Sequence, residues 1–270
     1  MKINAPFVEK ILTKFIKEEL SKFQYKKGIL GISGGLDSAV SAFLAVKALG
    51  ANNVIGLVLP YSEMSRSGEK DAQDVINTLK IRSKRIDISP MVDTYFNHHP
   101  SSDRRQKGNK MARERMSILY DQSEREHALI IGTSNKTELL LGYGTIHGDM
   151  ACAINPLGDL YKTQIRQLAE YLGVPEHVRK KVPTAGLWPG QTDEDELGLT
   201  YEEIDQILFF LVDKRMPRKK VIDSGFAKEK VNKIIRLIKG SEFKRTPPLI
   251  PKISERTVGH DFLFPYDWDR

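Results

Sequence analysis

The sequence predicts an α/β fold, in which a doubly wound parallel sheet of about five strands is flanked by helices and followed by a helical C-terminal portion. Two features predict this class. Short apolar runs alternate with helical patterns in the first half of the chain, which is the order that a parallel sheet with crossover helices requires. From about residue 200 to 239 the pattern is helical, and the tail that follows is proline-rich and extended. We therefore expect a single domain over residues 1–270, with an α/β core at about 25–175 and a lid loop, helices and an extended tail at about 176–270.

Four apolar runs are the candidate strands, namely residues 28–32, 54–59, 85–88 and 129–133. Helical patterns separate these runs at about 37–49, 68–79 and 110–126, and an amphipathic helix with Phe7, Ile11, Phe15 and Leu20 on one side precedes them. Two polar stretches, at about 97–109 and 181–199, lack apolar periodicity. Long loops of this kind are typically lids or binding loops. In parallel sheets of this class, ligands bind beyond the carboxyl ends of the strands.

The composition is that of a globular protein. A single cysteine, Cys152, excludes an internal disulfide framework and any metal site built from several cysteines. No apolar run reaches the roughly 20 residues that cross a membrane. The N-terminal helix also lacks the continuous apolar core of a signal peptide. We therefore expect a cytoplasmic protein without a membrane partner.

The net charge of +7 raises the question of a nucleic-acid partner. The basic residues are interleaved with acidic ones, and no basic stripe with interspersed aromatic residues is present. A modest positive excess is explained equally well by attraction of small polyanions. We expect no nucleic-acid partner.

The segment Ser33-Gly34-Gly35-Leu36-Asp37-Ser38 follows the first candidate strand and opens a helix. Free backbone N–H groups at such a turn bind phosphate, and glycines let the backbone approach closely. A carboxylate beside a polyphosphate requires a divalent cation between them, and Mg²⁺ suits a site of carboxylate and phosphate oxygens. The segment lacks the Gly-Lys-Ser/Thr of a γ-phosphate loop. It therefore predicts binding of the pyrophosphate of ATP, the alternative being a plain turn with Asp37 as a helix cap.

A second polar segment, Gly132 to Glu138, follows the fourth candidate strand and should face the same crevice. Glu138 lies one turn into the next helix and can supply a second magnesium carboxylate. Thr133 can donate a hydrogen bond to a phosphate or ribose. Ser134 or Asn135 can cap the helix, and capping is compatible with the functional role.

These two segments, together with four others in a fixed order, resemble the ammonia-dependent NAD synthetase family within the ATP pyrophosphatase group. The further segments are residues 109–116, 142–149, 160–166 and 181–198. The resemblance runs nearly from end to end. It implies that the carboxylate of deamido-NAD attacks the α-phosphorus of ATP, giving an adenylate and pyrophosphate. Ammonia then displaces AMP to form NAD. It also implies a homodimer. Free ammonia is the expected nitrogen donor, because Cys152 lies among apolar neighbours and is expected to be a small buried residue rather than a nucleophile.

The resemblance also implies roles for individual residues. Magnesium is assigned to Asp37 and Glu138. Deamido-NAD is assigned to Arg113, Asp149 and Lys244, with Asp149 also orienting or deprotonating the incoming nitrogen as a catalytic residue. Lys162 is assigned both a catalytic role and contact with ATP. The full set of residues expected to bind ATP is Gly31, Ile32, Ser33, Gly34, Gly35, Leu36, Asp37, Ser38, Thr133, Lys162 and Thr184.

Two positions depart from the commoner family pattern. Ile146 stands where many members have lysine, and Ala153 stands where many have aspartate. Both belong to the dinucleotide side, where His147 or the 97–109 stretch could compensate. Two other functions are alternatives: a tRNA-modifying enzyme of the same group, and a non-enzymatic nucleotide sensor. The first would need an RNA-binding appendage or further cysteines, and the second has little use for two converging magnesium carboxylates.

Overall fold

A computed structural model describes residues 1–61, 66–100, 103–184, 186, 190–246 and 248–258. Its centre is a parallel sheet of four strands: β1 (Lys27–Gly31), β2 (Val54–Val58), β3 (Arg82–Arg85) and β4 (Ala128–Ile130). The strand order is β3-β2-β1-β4, and all three pairings are parallel. The predicted α/β class with a parallel sheet is confirmed. The described residues form four strands rather than about five, because beyond β4 the chain adds only an isolated bridge between Ile131 and Ile154.

Twelve α-helices surround or follow the sheet in the described part of the chain. The first five are α1 (Ala5–Lys22), α2 (Leu36–Leu49), α3 (Arg66–Leu79), α4 (Ser89–Asn97) and α5 (Arg104–Glu126). The next four are α6 (Lys136–Leu141), α7 (Lys162–Leu172), α8 (Glu176–Lys180) and α9 (Asp193–Leu197). The last three are α10 (Tyr201–Leu208), which continues into a π-helical turn (Phe209–Asp213), α11 (Arg218–Asp223) and α12 (Lys228–Gly240).

The sheet is covered on both faces, as alternation along its strands requires. Leu30 and Ile32 pack into one apolar cluster together with side chains of α1, α2, α3 and α7. Ile29 points the other way, into a second cluster formed with side chains of α4 and α5. The central strand is therefore buried on both sides, which explains its continuous apolar sequence.

A third apolar cluster lies apart from the sheet. It joins α6 to the C-terminal helices, with Ile204, Ile207, Val231 and Ile234 all fully buried. These four residues lie on α10 and α12, so the C-terminal helices pack against the start of the polypeptide segment that follows β4. This attachment matters for the site described below. No helix among the described residues is both long enough and apolar enough to span a bilayer.

Three element boundaries differ from the sequence expectation. The third strand spans Arg82–Arg85 instead of 85–88, because the exposed, polar residues before Ile86 also pair with β2 and no apolar pattern marks them. The long helix begins at Arg104 rather than about 110, since Asp103 and Gln106 form a capping box. The same polar stretch was expected to be loop throughout. The helical pattern at 200–239 is broken into separate helices, with Pro217 capping the start of α11.

Leu44 tests the importance of the packing between α2 and the sheet. This side chain is fully buried in the first cluster, so Leu44→Ala should lower the free energy of unfolding by about 2–5 kcal/mol through lost burial and a residual cavity. Leu249 is 86% exposed and provides the control, because Leu249→Ala should change stability by less than about 0.5 kcal/mol. Urea denaturation followed by circular dichroism measures both values. Equal effects for the two variants would contradict the described core.

Candidate active site

The loop after β1 forms a compact turn at the carboxyl edge of the sheet. The backbone N–H of Ser33 donates to Ser38 Oγ at 3.2 Å, and the N–H of Gly35 donates to Ser33 Oγ at 3.2 Å. Ser38 Oγ in turn donates to the carbonyl of Gly35 at 3.0 Å. Gly35 caps α2 without a side-chain hydrogen bond, so the amino end of that helix is not covered by a side chain of its own cap. Such a turn offers backbone N–H groups and a helix dipole to an anion.

Gly34 is the residue on which the shape of this turn depends. Its φ is +76°, a conformation that residues with a Cβ rarely adopt. A Cβ built on Gly34 would lie 2.2 Å from the carbonyl oxygen of Gly68, at the start of α3. The turn therefore rests directly on the backbone of another helix. The sequence predicts close approach of this backbone to a phosphate, and that stays a prediction; the described contact is with Gly68.

A buried lysine and two carboxylates meet beside this loop. Lys162 Nζ is hydrogen-bonded to Asp37 Oδ2 and lies 3.8 Å from Glu138 Oε1. The Lys162 side chain is only 4% exposed. The three residues come from the first turns of α2, α6 and α7, whose starts converge at the carboxyl edge of the sheet. The structure thus brings together three residues that were predicted as site members from separate motifs.

Glu138 has two functions in this cluster. Its backbone N–H donates to Asn135 Oδ1 at 2.9 Å, and its Oε2 accepts from the N–H of Asn135 at 3.2 Å, which completes a capping box at the start of α6. Burial and the neighbouring Asp37 carboxylate raise the pKa of Glu138 to about 8, although Lys162 opposes the change. The Asn135 side chain also donates to Asp37 Oδ1 at 3.2 Å. Asn135 therefore links the two carboxylates in addition to capping the helix.

Lys162 is held as a cation. Burial favours the neutral amine, yet the Asp37 and Glu138 carboxylates outweigh this effect and raise the pKa of Lys162. Its Nζ also lies 5.3 Å from the centre of the Tyr201 ring. Lys162 is the first residue of α7, and its burial between carboxylates distinguishes it from a solvated surface lysine.

Asp193 is a member of the site that the sequence did not reveal. It is 4% exposed and accepts hydrogen bonds from Tyr201 Oη at 2.9 Å and Tyr143 Oη at 3.1 Å. Burial raises the pKa of Asp193, while the Tyr201 bond and the Lys162 charge lower it. The acidic run that contains this residue was interpreted as lid and helix start. Asp193 does begin α9, but it also adds a third carboxylate to the electrostatic field around Lys162.

Asp149 lies in a different part of the crevice, among basic residues. Its Oδ1 accepts from the N–H of Thr145 at 2.8 Å. Desolvation of the carboxyl group raises the pKa of Asp149, whereas the Thr145 bond and the charge of Lys244 lower it. Lys244 Nζ donates to the carbonyls of Gly142 and Gly144, both at 2.7 Å. The loop that carries Asp149 is therefore attached to the C-terminal segment.

Arg113 belongs to the same basic region. Its Nε donates to the carbonyl of Ile146 at 3.2 Å, and its charge contributes to the lowered pKa of Lys244, which results first from burial and then from Arg105. Ile146, one of the two positions that depart from the family pattern, thus contributes a backbone group to this contact. Ala153, the other departure, is exposed and donates its N–H to the carbonyl of Ile130 at 3.1 Å.

Two residues predicted to bind ATP, Thr133 and Thr184, take no part in the contacts described above. Thr133 follows β4 and is half-buried. Thr184 is exposed, and its Oγ1 accepts from the N–H of Gly186 at 3.0 Å. The segment leading to Thr184 is anchored near the phosphate loop by Lys181, whose Nζ lies 2.5 Å from Asp71 on α3. Trp188, which was interpreted as part of the lid, lies outside the described residues.

Asp71 also belongs to a group of possible metal ligands with Asp74 and His177, whose ligand atoms all lie within 4.8 Å of one another. His177 Nε2 is 3.3 Å from Asp74 Oδ2 and 3.7 Å from Asp71 Oδ1. Because Lys181 already neutralises Asp71, these contacts are explained as polar anchoring of α8 and the following segment to α3.

Cys152 fits the interpretation of a small apolar residue. It packs beside the second cluster, and burial raises the pKa of its thiol to about 11. A thiol with a raised pKa is a poor nucleophile.

A glycine-containing turn at a helix start lies beside a buried lysine and two carboxylates at the carboxyl edge of a parallel sheet, an arrangement typical of α/β enzymes that act on nucleotides. The chain belongs to the NAD synthase family, whose sequence model matches residues 8–248. It is 46% identical over 270 residues to the NH₃-dependent NAD⁺ synthetase of Trichlorobacter lovleyi, covering 100% of this chain and 99% of that protein. It is 47% identical over 251 residues to the enzyme of the same name from Fusobacterium nucleatum, covering 93% and 97% of the two chains.

Solved structures agree with this membership. The NH₃-dependent NAD synthetase of Campylobacter jejuni superposes with a TM-score of 0.80 and 33% identity, covering 93% of this chain and all of the other. The NMN synthetase of Francisella tularensis superposes with a TM-score of 0.82 and 34% identity, covering 93% and 99% of the two chains.

Gly34→Ala tests whether the turn at Gly34 is required for the site. Gly173 has the same φ of +76° but nothing within 4 Å of its missing Cβ, so Gly173→Ala carries the conformational cost alone and is the matched control. Each variant should lose about 1 kcal/mol of stability from the left-handed conformation. Only Gly34→Ala should also weaken ATP binding, by about tenfold or more, because the loop must move away from Gly68. Calorimetric titration with ATP measures the difference. Equal ATP affinity in the two variants would contradict this account of the loop.

Proposed function

We propose that the chain is an ammonia-dependent NAD synthetase, which amidates deamido-NAD at the expense of ATP to give NAD, AMP and pyrophosphate. The observation that carries the proposal is the convergence of Asp37, Glu138 and Lys162 beside the phosphate loop, in a chain related over its full length to enzymes of that name. The reaction is a C–N bond-forming ligation. A carboxylate is a poor acyl donor, and its adenylation supplies the leaving group that ammonia displaces.

The donor set of the cluster fits a magnesium ion. Asp37 and Glu138 would hold it, because both carboxylates lie beside the same Lys162 ammonium and offer the oxygen ligands that Mg²⁺ prefers. When bound with ATP, Mg²⁺ would neutralise charge on the pyrophosphate. The backbone N–H groups of residues 33–38 would bind the same group. Most of the rate enhancement then comes from positioning and charge neutralisation.

Lys162 supplies a fixed positive charge at the point where the α-phosphorus is attacked. Its ammonium is buried and held by carboxylates, so it is oriented before the substrate arrives and needs little reorganisation. The Lys162 ammonium, which is bonded to Asp37 in this structure, would also be a donor for an oxygen of the α-phosphate. Thr133 and Thr184 are proposed to contact the nucleotide from the two sides of the crevice.

The basic region is proposed to receive deamido-NAD. Arg113 and Lys244 contribute positive charge around Asp149, which suits the diphosphate of a dinucleotide. Asp149 would orient the incoming nitrogen and accept a proton from it. The backbone bond from Thr145 holds the carboxylate in place for this role. The carbonyl of Ile146 accepts a hydrogen bond from Arg113. This backbone contact would hold Arg113 in the basic region although no lysine side chain is present at position 146.

The proposed function is tested by incubating the protein with ATP, MgCl₂, deamido-NAD and ammonium, and by resolving the products by chromatography. NAD, AMP and pyrophosphate should appear in equal amounts, and omission of either deamido-NAD or ammonium should abolish NAD. Formation of AMP that depends on tRNA and not on deamido-NAD would favour the tRNA-modifying alternative. ATP binding without any turnover would favour a nucleotide sensor.

A mononucleotide substrate is the second candidate, because a solved structure that superposes closely is an NMN synthetase. Ile146 and Ala153 both depart from the commoner family pattern on the dinucleotide side. The same assay with nicotinate mononucleotide in place of deamido-NAD decides the matter. If kcat/KM is larger for the mononucleotide than for deamido-NAD, the mononucleotide is the substrate, and the proposed adenylation chemistry is unchanged.

Asp37→Asn tests the magnesium assignment. The variant keeps the shape of the side chain but removes the charge, so NAD formation should fall by about 100-fold or more, and the Mg²⁺ concentration for half-maximal activity should rise. Asp121→Asn is the control, because Asp121 is an exposed carboxylate paired with Arg125 on the surface of α5. Full activity of Asp37→Asn at the ordinary Mg²⁺ concentration would exclude Asp37 as a metal ligand.

We further propose a homodimer acting in the cytoplasm, where ATP is available. Phe7 and Ile11 on α1 are 60% and 48% exposed, although Ile16 and Leu20 of the same helix are buried within the chain. Apolar side chains exposed on one helix face are typical of a subunit interface. Light scattering at micromolar concentration should give twice the chain mass of 30.6 kDa. A species of one chain mass that persists at that concentration would contradict the dimer.

A further inference from the structure

Asp205 is a fully buried carboxylate on α10, in the C-terminal helices rather than at the phosphate loop. Its Oδ1 accepts from Thr137 Oγ1 at 2.6 Å, and its Oδ2 accepts from the backbone N–H of Thr163 at 2.8 Å. Burial raises the pKa of Asp205, and both of these bonds lower it. Burying a charge is costly unless its bonds repay the desolvation. The Thr137 hydroxyl and the Thr163 backbone N–H, both at short range, provide that compensation.

The partners of Asp205 are the sequence neighbours of the site residues. Thr137 precedes Glu138 in the first turn of α6, and Thr163 follows Lys162 in the first turn of α7. Thr137 Oγ1 also accepts from the backbone N–H of Lys162 at 3.0 Å. A single carboxylate thus connects the first turns of both helices through three hydrogen bonds. The Asp205 carboxylate, which lies on α10, also places a negative charge at the amino end of α7, where the helix dipole favours an anion.

We infer that Asp205 is a positioning residue for the proposed amidation: by holding Thr137 and Thr163 it sets Glu138 and Lys162 at the separation that lets both face Asp37. It acts through these neighbours, because one bond reaches the backbone N–H of Thr163 and the other reaches the short hydroxyl side chain of Thr137, which also accepts from the backbone N–H of Lys162. The inference rests on the proposed function for its readout in activity. Its geometry is independent of the identity of the dinucleotide.

Asp213 offers a natural comparison within the same helical unit. It joins the start of α6 to the residue that precedes α7, since its Oδ1 accepts from Lys136 Nζ at 2.9 Å and its Oδ2 accepts from Tyr161 Oη. These partners are the tips of long side chains, so they hold the backbone of α6 and α7 less tightly than the Asp205 bonds do. Asp213 is also 33% exposed and its pKa is lowered, chiefly because the Tyr161 and Lys136 bonds outweigh burial. It therefore serves as a control for lost stability between the same elements.

The test uses Asp205→Asn and Thr137→Val, compared with Thr137→Ser and Asp213→Asn in the full chain. Asp205→Asn keeps the shape but can accept only with its one amide oxygen, and Thr137→Val replaces the hydroxyl by a methyl group of similar size. Magnesium-dependent binding of a non-hydrolysable ATP analogue is measured by calorimetry, and kcat and KM are measured by the NAD assay. Circular dichroism at the assay temperature establishes that each variant is folded.

We expect Asp205→Asn and Thr137→Val to weaken magnesium-dependent analogue binding and to lower kcat, each by about tenfold, with KM for deamido-NAD changed by less than about twofold. Thr137→Ser should restore both values, because its hydroxyl can make the same bonds. Asp213→Asn should lower the melting temperature while leaving analogue binding near wild type. If Thr137→Val is folded and binds the analogue as the wild type does, the inference is overturned. It is also overturned if Asp213→Asn reproduces the losses of Asp205→Asn.

The two proposals fail in different ways. A wild-type chain that forms no NAD would overturn the proposed function, while the calorimetric comparison of variants would still decide the role of Asp205. A wild type that forms NAD, with Asp205→Asn folded and fully active, would overturn only the positioning role.

Discussion

The arrangement of the site depends on one buried interaction, the ion pair between Lys162 and Asp37. The Glu138 carboxyl group lies 3.8 Å from the same ammonium. Asp37 and Lys162 depend on each other, because removal of either would leave its partner buried and uncompensated. This requirement constrains the fold. The strands must end at a common edge, and α2, α6 and α7 must begin there.

The same constraint explains why the protein needs its C-terminal helices. Asp193 and Tyr201 surround Lys162 from one side, and Asp205 holds the first turns of α6 and α7 from the other. The third apolar cluster fixes these helices against α6. The C-terminal part of the chain therefore completes a site whose phosphate loop belongs to the sheet. The sheet and its flanking helices alone would contain the loop but would lack Asp193, Tyr201 and Asp205, which lie around Lys162 and the first turns of α6 and α7.

Local patterns in the sequence predicted the parts of the site that follow strands. The six residues at 33–38 and the segment at 132–138 lie where a continuous apolar run gives way to a helix, so both could be assigned to the same edge of the sheet. Lys162 could be placed at a helix start, but its partner Asp37 is 125 residues away, and only the resemblance to a family brought the two together. Burial of the lysine depends on packing that no local pattern reports.

Other features escaped prediction for identifiable physical reasons. Asp193 and Asp205 resemble ordinary helix acids, because a carboxylate on a helix is usually solvated and nothing nearby in sequence marks these two as buried. The third strand lies earlier in the sequence than expected. The apolar residues Ile86 and Ile88 marked the predicted strand, but they pack in the core after the strand has ended, and the residues that pair with β2 are the exposed ones before them. The capping box at Asp103 and Gln106 was visible in the sequence, yet the polar character of that stretch favoured a loop.

The central claim is that the nicotinate carboxylate is adenylated at the cluster formed by Asp37, Glu138 and Lys162. Deamido-NAD labelled with ¹⁸O in its carboxylate tests this claim most directly, with the AMP analysed by mass spectrometry after one turnover. The account predicts one ¹⁸O atom in the phosphate of AMP, because the oxygen that attacks the α-phosphorus leaves with it when ammonia displaces the adenylate. AMP without ¹⁸O, or label found in pyrophosphate, would contradict the account.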